Sequence, residues 1–327
     1  MNQWTAGAAG ANPVQTLGPV FRQLALPRAD GCTGHESGAQ WFRQRIGDLR
    51  RNPDFAATAG AYARSIVQLF EGHYLVNKAM ANVARQTVCM AIMSSYFGQP
   101  EKSGGAFLSS IQGLTTAMGV CSKNTTAANV ALLERLGLVV RLENRQDRRW
   151  LYIRPTENLV AAARDFSRIS LIAADALFPS RHYSASFDGD QALQERCFAV
   201  GLYSFIAVQH SVFGSAESHL FTTADGGMAV LFKLLSLYDD ASQSRGHAVE
   251  FPFDEMGSLF GSSRTHIRRL MKSAEAGGYV RLLEKGGRKI EILPPLEDLF
   301  ENVVAASVAR AQLDVHLARG EDLRSAG

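Results

Sequence analysis

The chain has 327 residues, of which 46% are hydrophobic and 20% are charged. These values fit one or two globular domains with a real core and argue against a disordered or fibrous protein. The formal net charge is only +3, so the total alone does not indicate a polyanionic partner. The four cysteines are scattered without a Cys-x-x-Cys pair, which excludes a disulfide framework or a zinc finger, and we expect no metal or cofactor.

The first part of the chain predicts an arm followed by helices. Residues 1–36 are rich in Ala, Gly, Pro and Gln without periodicity, which indicates a flexible N-terminal arm. No signal peptide or membrane span is recognisable in the sequence, so we expect a cytoplasmic protein with no membrane partner. Apolar periodicity then predicts helices over about residues 41–51, 55–71 and 76–97.

The rest of the chain predicts two similar halves. The first half spans 37–178, with a helix-turn-helix and hairpin over about 106–155 and a helix from 157 to 178. A polar linker without helical pattern follows at 179–190. The second half spans 191–327, with helices at about 192–213 and 227–237, a second helix-turn-helix and hairpin at about 249–294, and a last long helix from 295 to about 318.

An internal repeat supports this division. Six residues recur 141 positions later with the same identity, namely Gly60, Tyr62, Gln68, Ser122, Gly137 and Val139. A fixed spacing of this kind indicates two copies of one structural unit in tandem. The predicted fold class is therefore mainly α with small β-hairpin wings, or α+β. Two tandem winged helix-turn-helix units with flanking long helices would form a pseudo-two-fold arrangement.

The second helix-turn-helix shows the pattern most clearly. Asp254 is a candidate cap for its first helix, Gly261 suits a turn that needs a positive φ, and Ser262 and Ser263 are both candidate caps for the next helix. Ile267 and Met271 begin one apolar face of that second helix. The opposite face is cationic, which suits the major groove of DNA in size and sign.

The first unit has matching parts but a different outward face. Ser122 is the candidate cap, and Thr126, Val130 and Leu133 form the inner face. The DNA-facing residues predicted in the first unit are Lys123, Asn124, Ala127, Ala128, Arg145, Arg148 and Arg149. Those predicted in the second unit are Ser263, Arg264, Thr265, His266, Arg268, Arg269, Lys272, Lys285, Arg288 and Lys289. Alanine cannot make the bidentate contacts of arginine, so we expect unequal half-sites.

The two units together resemble known transcriptional regulators. The run from Leu133 to Val140, followed by Asp147-Arg-Arg and Arg154-Pro-Thr, is similar to the winged helix of MarR-type regulators. The resemblance implies a DNA-binding fold in which an arginine of the wing enters the minor groove and an aspartate holds it. Those roles would fall on Arg149 and Asp147. Family members are ordinarily dimers of one-unit chains, whereas this chain holds two diverged units.

Charge distribution agrees with contacts to double-stranded DNA. Residues 119–156 contain seven Lys/Arg and three Asp/Glu, and residues 261–293 contain eight against three, so basic charge is concentrated in the two units.

No P-loop, nucleophile elbow or zinc-protease helix is present, and we expect a protein that is not an enzyme. The sequence therefore predicts a transcriptional regulator that acts as an intramolecular pseudo-dimer, with recognition helices ~34 Å apart.

Several alternatives stay open at this point. A tandem winged-helix replication initiator or chromosome-maintenance protein would share the same fold, and so would a protein-interaction scaffold. The protein is either a monomeric pseudo-dimer or a homodimer. A small-molecule effector bound among the non-wing helices is a further hypothesis: Phe198, Tyr203 and Phe205 would line its pocket, or would simply pack in a core helix.

Overall fold

The computed structural model describes residues 35–71, 74–99, 106–143, 151–211, 216–242 and 248–321, so most of the predicted N-terminal arm lies outside the described residues. In chain order the elements of the first half are α1 (His35–Arg51), α2 (Phe55–Phe70), α3 (Tyr74–Ala79), α4 (Val83–Phe97), β1 (Ala106–Phe107), α5 (Leu108–Ala117), α6 (Lys123–Arg135), β2 (Val139–Glu143), β3 (Leu151–Pro155) and α7 (Glu157–Leu177). After a 3-10 turn at Pro179–Arg181 come α8 (Tyr183–Gly189), α9 (Gln191–Ser211), α10 (Ala216–Thr223), α11 (Gly227–Ser242), β4 (Ala248–Val249), α12 (Phe253–Leu259), α13 (Arg264–Ala276), β5 (Val280–Leu282), a 3-10 turn at Lys285–Gly287, β6 (Ile290–Ile292) and α14 (Pro294–Arg319).

The described chain is mainly helical and carries two small antiparallel sheets, which confirms the coarse fold class. Each sheet has three strands, in the orders β1-β3-β2 and β4-β6-β5. The hairpins were predicted, but the short outer strands β1 and β4 were not. Two residues are too few to show the alternation by which a strand is recognised in a sequence.

Local chemistry at the turns follows the sequence closely. The Ser122 hydroxyl accepts a hydrogen bond from the backbone N–H of Thr125, and Ser263 accepts from His266, so both predicted caps are confirmed. Gly261 has the expected positive φ of 66°. The prediction for Asp254 is wrong, because α12 begins at Phe253 and Pro252 occupies the N-cap position without a side-chain bond.

Three other predictions differ from the structure. The single helix expected over 76–97 is two helices, α3 and α4, because Asn82 adopts an extended conformation and its side chain caps α4. The segment 179–190 was expected to lack helical structure, yet it contains α8, which buries Tyr183 and Phe187. Helix α10 was not predicted at all. Short helices show too few turns for a clear periodicity.

Long helices of the two halves pack against each other in a reciprocal way. Helix α2 of the first half packs on α11 of the second, and α9 of the second half packs on α4 of the first. Gly60 of α2 lies so close to α11 that a Cβ there would be 2.3 Å from Oδ2 of Asp239. Gly201 of α9 lies so close to α4 that a Cβ would be 2.8 Å from Cε of Met90. The repeated glycine therefore marks the same kind of close helix contact in both halves.

Helix α14 forms the centre of the helical core. It packs against α1, α2, α7 and α9, and most residues from Val303 to Val315 are buried on every side. A helix enclosed by four others needs no polar face, which explains why the middle of α14 is a long, mostly apolar run. Among the described residues, no helix combines the length and apolar character needed to cross a membrane.

Candidate nucleic-acid interface

Helix α13 presents one buried and one cationic face. Ile267, Leu270, Met271 and Ala274 are all buried against the rest of the second unit. This packing fixes the rotation of the helix and leaves its other face in solvent, as the apolar spacing predicted.

The exposed face of α13 carries a stripe of like charge. Arg264, Arg268 and Lys272 follow one another at four-residue steps, and all three side chains are exposed. Like charges at this spacing repel on a helix and destabilise it by about 0.2–0.5 kcal/mol per pair. The stripe therefore costs stability in the free protein, and a polyanion lying along it would remove that cost.

The stripe forms one wall of an open groove, and the β5–β6 hairpin forms the other. The groove encloses about 650 Å³. Its polar lining comprises Arg264, Thr265, Arg268 and Lys272 on the helix side with Glu284 and Lys285 on the hairpin side. Four cations and one carboxylate thus face a single concave space.

Two glycines shape the hairpin tip that carries Lys285. Gly286 and Gly287 have φ values of 77° and 81°, which L side chains rarely adopt. The Gly287 carbonyl accepts a hydrogen bond from the backbone N–H of Phe251 at 2.8 Å, which ties the tip to the segment before α12. A Cβ at Gly286 would lie 3.9 Å from Nη2 of Arg264, so the helix and the tip approach each other closely.

Two neighbouring acidic side chains outside the groove lining are occupied elsewhere. Glu275 accepts a hydrogen bond from the backbone N–H of Leu282 at 2.9 Å, and Glu291 pairs with Arg281 at 2.6 Å across the hairpin. Within the part of the chain that the structure describes, no ion pair involves the remaining cations of the unit: Arg264, Arg268, Arg269, Lys272, Lys285, Arg288 and Lys289. Their charge is available to an external anion.

Not every predicted residue of the second unit faces the groove. Arg269, Arg288 and Lys289 are exposed but lie outside its lining. The Ser263 hydroxyl caps α13. The imidazole of His266 is half-buried, and its Nε2 lies 2.8 Å from the backbone carbonyl oxygen of Asp225, so it contacts the α10–α11 turn.

This contact between α13 and the α10–α11 turn was not predicted from the sequence. Asp225 also accepts a hydrogen bond at 2.6 Å from the side chain of Asn82, the cap of α4, and the backbone N–H of Gly226 donates to the carbonyl of Ala81 at 2.7 Å. The turn therefore connects the first half of the chain to the start of α13. The Asp225-Gly226 pair indicates a turn, but nothing local indicates its partners.

The first unit has a weaker basic surface in the described residues. Lys123, Asn124 and Ala128 are exposed on α6, whereas Ala127 is half-buried. Arg141 pairs with Glu134 at 3.0 Å. The hairpin residues Arg145, Asp147, Arg148 and Arg149 lie outside the described residues, so their predicted roles stay predictions.

The groove is suited to binding an anion rather than to metal chemistry. Guanidinium and ammonium groups bind phosphate oxygens by charge-assisted hydrogen bonds, and exposed N–H groups at a capped helix start add to this. No group of three His, Cys, Asp or Glu side chains that could hold a metal ion occurs in the described ranges. No family model, curated protein or solved structure matches this chain.

Proposed function

We propose that this chain is a transcriptional regulator that binds double-stranded DNA through two winged helix-turn-helix units, which act together as an intramolecular pseudo-dimer. The observation that carries the proposal is the groove of the second unit, where four cations without ion pairs in the described structure converge between α13 and a hairpin. Helix α13 would enter the major groove, and the wing would follow the adjacent backbone.

The repeated order of elements supports the assignment of two equivalent units. The series β1-α5-α6-β2-β3 is followed later by β4-α12-α13-β5-β6, and the central strand in both sheets is the last of its series. This arrangement is compatible with the MarR-like resemblance, in which one such unit occurs per chain.

Reciprocal packing of the long helices supports the pseudo-dimer. The two halves are joined by two such contacts, α4 with α9 and α2 with α11. A homodimer of single-unit chains would make the same contact twice across its two-fold axis. In this chain the covalent connection replaces the second subunit.

The two units would contribute unequally to binding. The second would supply most phosphate and guanine contacts through Arg264, Arg268 and Lys272, since arginine can bind guanine bidentately. The first would contribute Lys123, Asn124 and its arginine-rich hairpin. The result is an asymmetric operator with one strongly bound half-site.

One observation favours a protein partner for the first unit. Val140 and Leu142 on β2 are 40% and 37% exposed, beside a helix whose outward face carries Asn124 and Ala128 in place of arginine. Exposed apolar side chains of this kind occur at contact surfaces between proteins. In this second candidate function, the first unit docks a protein while the second binds DNA.

The test is fluorescence anisotropy with a labelled random-sequence duplex of about 40 base pairs, recorded across a range of salt concentrations. The double variant Lys272→Ala/Lys285→Ala removes one cation from each wall of the groove. We expect the slope of log K against log salt to become shallower by about 1.8, since each phosphate contact contributes about 0.9.

The matched control is Arg43→Ala/Arg51→Ala, which removes the same charge from exposed positions on α1. It should leave the slope unchanged. Absence of duplex binding at low salt, or an equal effect of the two double variants, contradicts the proposal. A bound site of about two helical turns, found by selection from a random pool, supports two DNA-binding units. A site of one turn favours the protein-docking role of the first unit.

A further inference from the structure

One carboxylate lines the groove between α13 and the β5–β6 hairpin, where the other charged side chains are cationic. Among the described residues of that lining, Glu284 is the one with a negative charge, and its side chain is exposed. A carboxylate beside a phosphate backbone repels it and lowers the affinity for every sequence alike. Glu284 therefore opposes the binding of phosphate that the four cations of the groove favour.

The cations of the groove do not neutralise Glu284 by direct pairing. Arg264 approaches the hairpin tip, since a Cβ at Gly286 would lie 3.9 Å from its Nη2. Even so, no ion pair or hydrogen bond joins the Glu284 carboxylate to Arg264 or to another residue that the structure describes. By contrast, Glu275 and Glu291 of the same unit each hold a protein donor. The Glu284 carboxylate can consequently accept hydrogen bonds from a bound molecule.

The backbone holds Glu284 in one place beside the hairpin tip. The backbone N–H groups of Leu283 and Glu284 both donate to the carbonyl of Lys289, at 3.0 and 3.2 Å. Glu284 itself is extended, with a φ of −134° and a ψ of 152°, and the positive-φ pair Gly286 and Gly287 follows it. The carboxylate is thus presented from a fixed position on the hairpin wall, as precise recognition of a ligand requires.

We propose that Glu284 reads the sequence of bound DNA by accepting a hydrogen bond from the exocyclic amino group of one base. This inference rests on the proposed binding of duplex DNA by the second unit. Three amino groups offer such a donor: N4 of cytosine and N6 of adenine in the major groove, and N2 of guanine in the minor groove. An ionised carboxylate only accepts hydrogen bonds, so a base edge that presents only acceptors at this position is rejected.

The two kinds of charge in the groove then have separate roles. The cations hold the duplex largely through its phosphates, which every sequence offers. Glu284 lowers that general affinity and restores it only where an amino group meets the carboxylate. Specificity is a difference between two affinities and can be built from such a repulsive element. Glu284 is therefore a specificity-determining residue, and its removal makes binding tighter and less selective.

The test begins with a duplex that the full chain selects from a random pool. In that duplex each cytosine, adenine or guanine is replaced in turn by 2-pyrimidinone, purine or hypoxanthine, which lack the N4, N6 or N2 amino group. Fluorescence anisotropy compares the parent with Glu284→Ala, so that any weakening of the base pair itself affects both proteins alike. At one position we expect the analogue to weaken binding of the parent about fivefold or more and to leave Glu284→Ala nearly unaffected. The base at that position distinguishes the major from the minor groove.

A random-sequence duplex at low salt measures the repulsion. Glu284→Ala should bind it about twofold or more tightly than the parent does. The matched control is Glu255→Ala, which removes the same charge from an exposed position on α12 outside the groove lining. It should keep the analogue penalty of the parent. Because both side chains are exposed, both variants should fold.

The outcomes separate this inference from the proposed function. A selection without a preferred sequence, no penalty from any analogue, a penalty that survives Glu284→Ala, or an equal gain of Glu284→Ala on selected and random duplexes overturns the inference and leaves DNA binding intact. Absence of duplex binding by the parent contradicts the proposed function itself.

Discussion

The wing tip of the second unit offers a sharp test because two adjacent glycines share a backbone conformation but differ in surroundings. Gly286 and Gly287 both have positive φ. A Cβ on Gly287 would lie 2.1 Å from the Phe251 carbonyl oxygen and 2.5 Å from Cε1 of Phe253, both far inside contact distance. A Cβ on Gly286 would meet nothing closer than Arg264 at 3.9 Å. Alanine is therefore strained at both positions but obstructed at only one.

The cost of each substitution follows from these contacts. A left-handed backbone costs about 1–2 kcal/mol for a residue with a Cβ, and this applies to both. Gly287→Ala adds an overlap worth about 1–3 kcal/mol and weakens the Phe251–Gly287 hydrogen bond, worth about 0.5–1.5 kcal/mol. We expect Gly287→Ala to lower the free energy of unfolding by about 2 kcal/mol more than Gly286→Ala does.

Urea denaturation followed by circular dichroism measures the global difference between the two variants. Hydrogen exchange at the Phe251 amide measures the local one, because that N–H donates to Gly287. Exchange there should accelerate in Gly287→Ala and stay close to the parent in Gly286→Ala. If the two variants agree within about 0.5 kcal/mol by both measurements, the described tip geometry is wrong.

Three further predictions concern the core and the helix starts. Burial raises the pKa of Asp314 to about 6, so the folded state holds its proton more tightly than the unfolded chain. The free energy of unfolding should thus fall by about 3 kcal/mol as the pH rises from about 3 to about 7, and Asp314→Asn should flatten this part of the pH profile. Ser122→Ala and Ser263→Ala should each destabilise by about 1 kcal/mol in urea titrations, while glycine at the same positions should cost only a few tenths. His266→Ala should cost about 0.5–1.5 kcal/mol and speed hydrogen exchange in the α10–α11 turn; an unchanged exchange rate there would contradict the contact with Asp225.

Local features of this fold could be predicted from the sequence because their causes lie within a few residues. The caps at Ser122 and Ser263, the turn at Gly261 and the inner face of α13 each depend on neighbours along one short segment. Asp254 shows the limit of such reasoning: an acidic residue near a helix start favours the first turn by its charge as well as the cap by its side chain. Because Pro252 occupies the N-cap position, Asp254 lies in the first turn of α12 and favours the helix there by its charge.

Long-range features could not be predicted, since their partners are distant in the chain. The contact between His266 and Asp225 depends on how α10 and α11 pack. Likewise, the sequence identified Arg264, Arg268 and Lys272 as outward-facing cations, but only the structure brings them opposite Lys285 across a groove.

Reciprocal packing of the halves has a consequence for synthesis on the ribosome. Helix α2 is made early, but its partner α11 ends only at Ser242. The leading portion of the nascent chain must therefore wait, with an incomplete apolar surface, until the trailing portion has left the exit tunnel. Truncated products that end before α11 should be recognised by chaperones and degraded. If the gene is separated into two pieces, the two halves should fold only when both are made together.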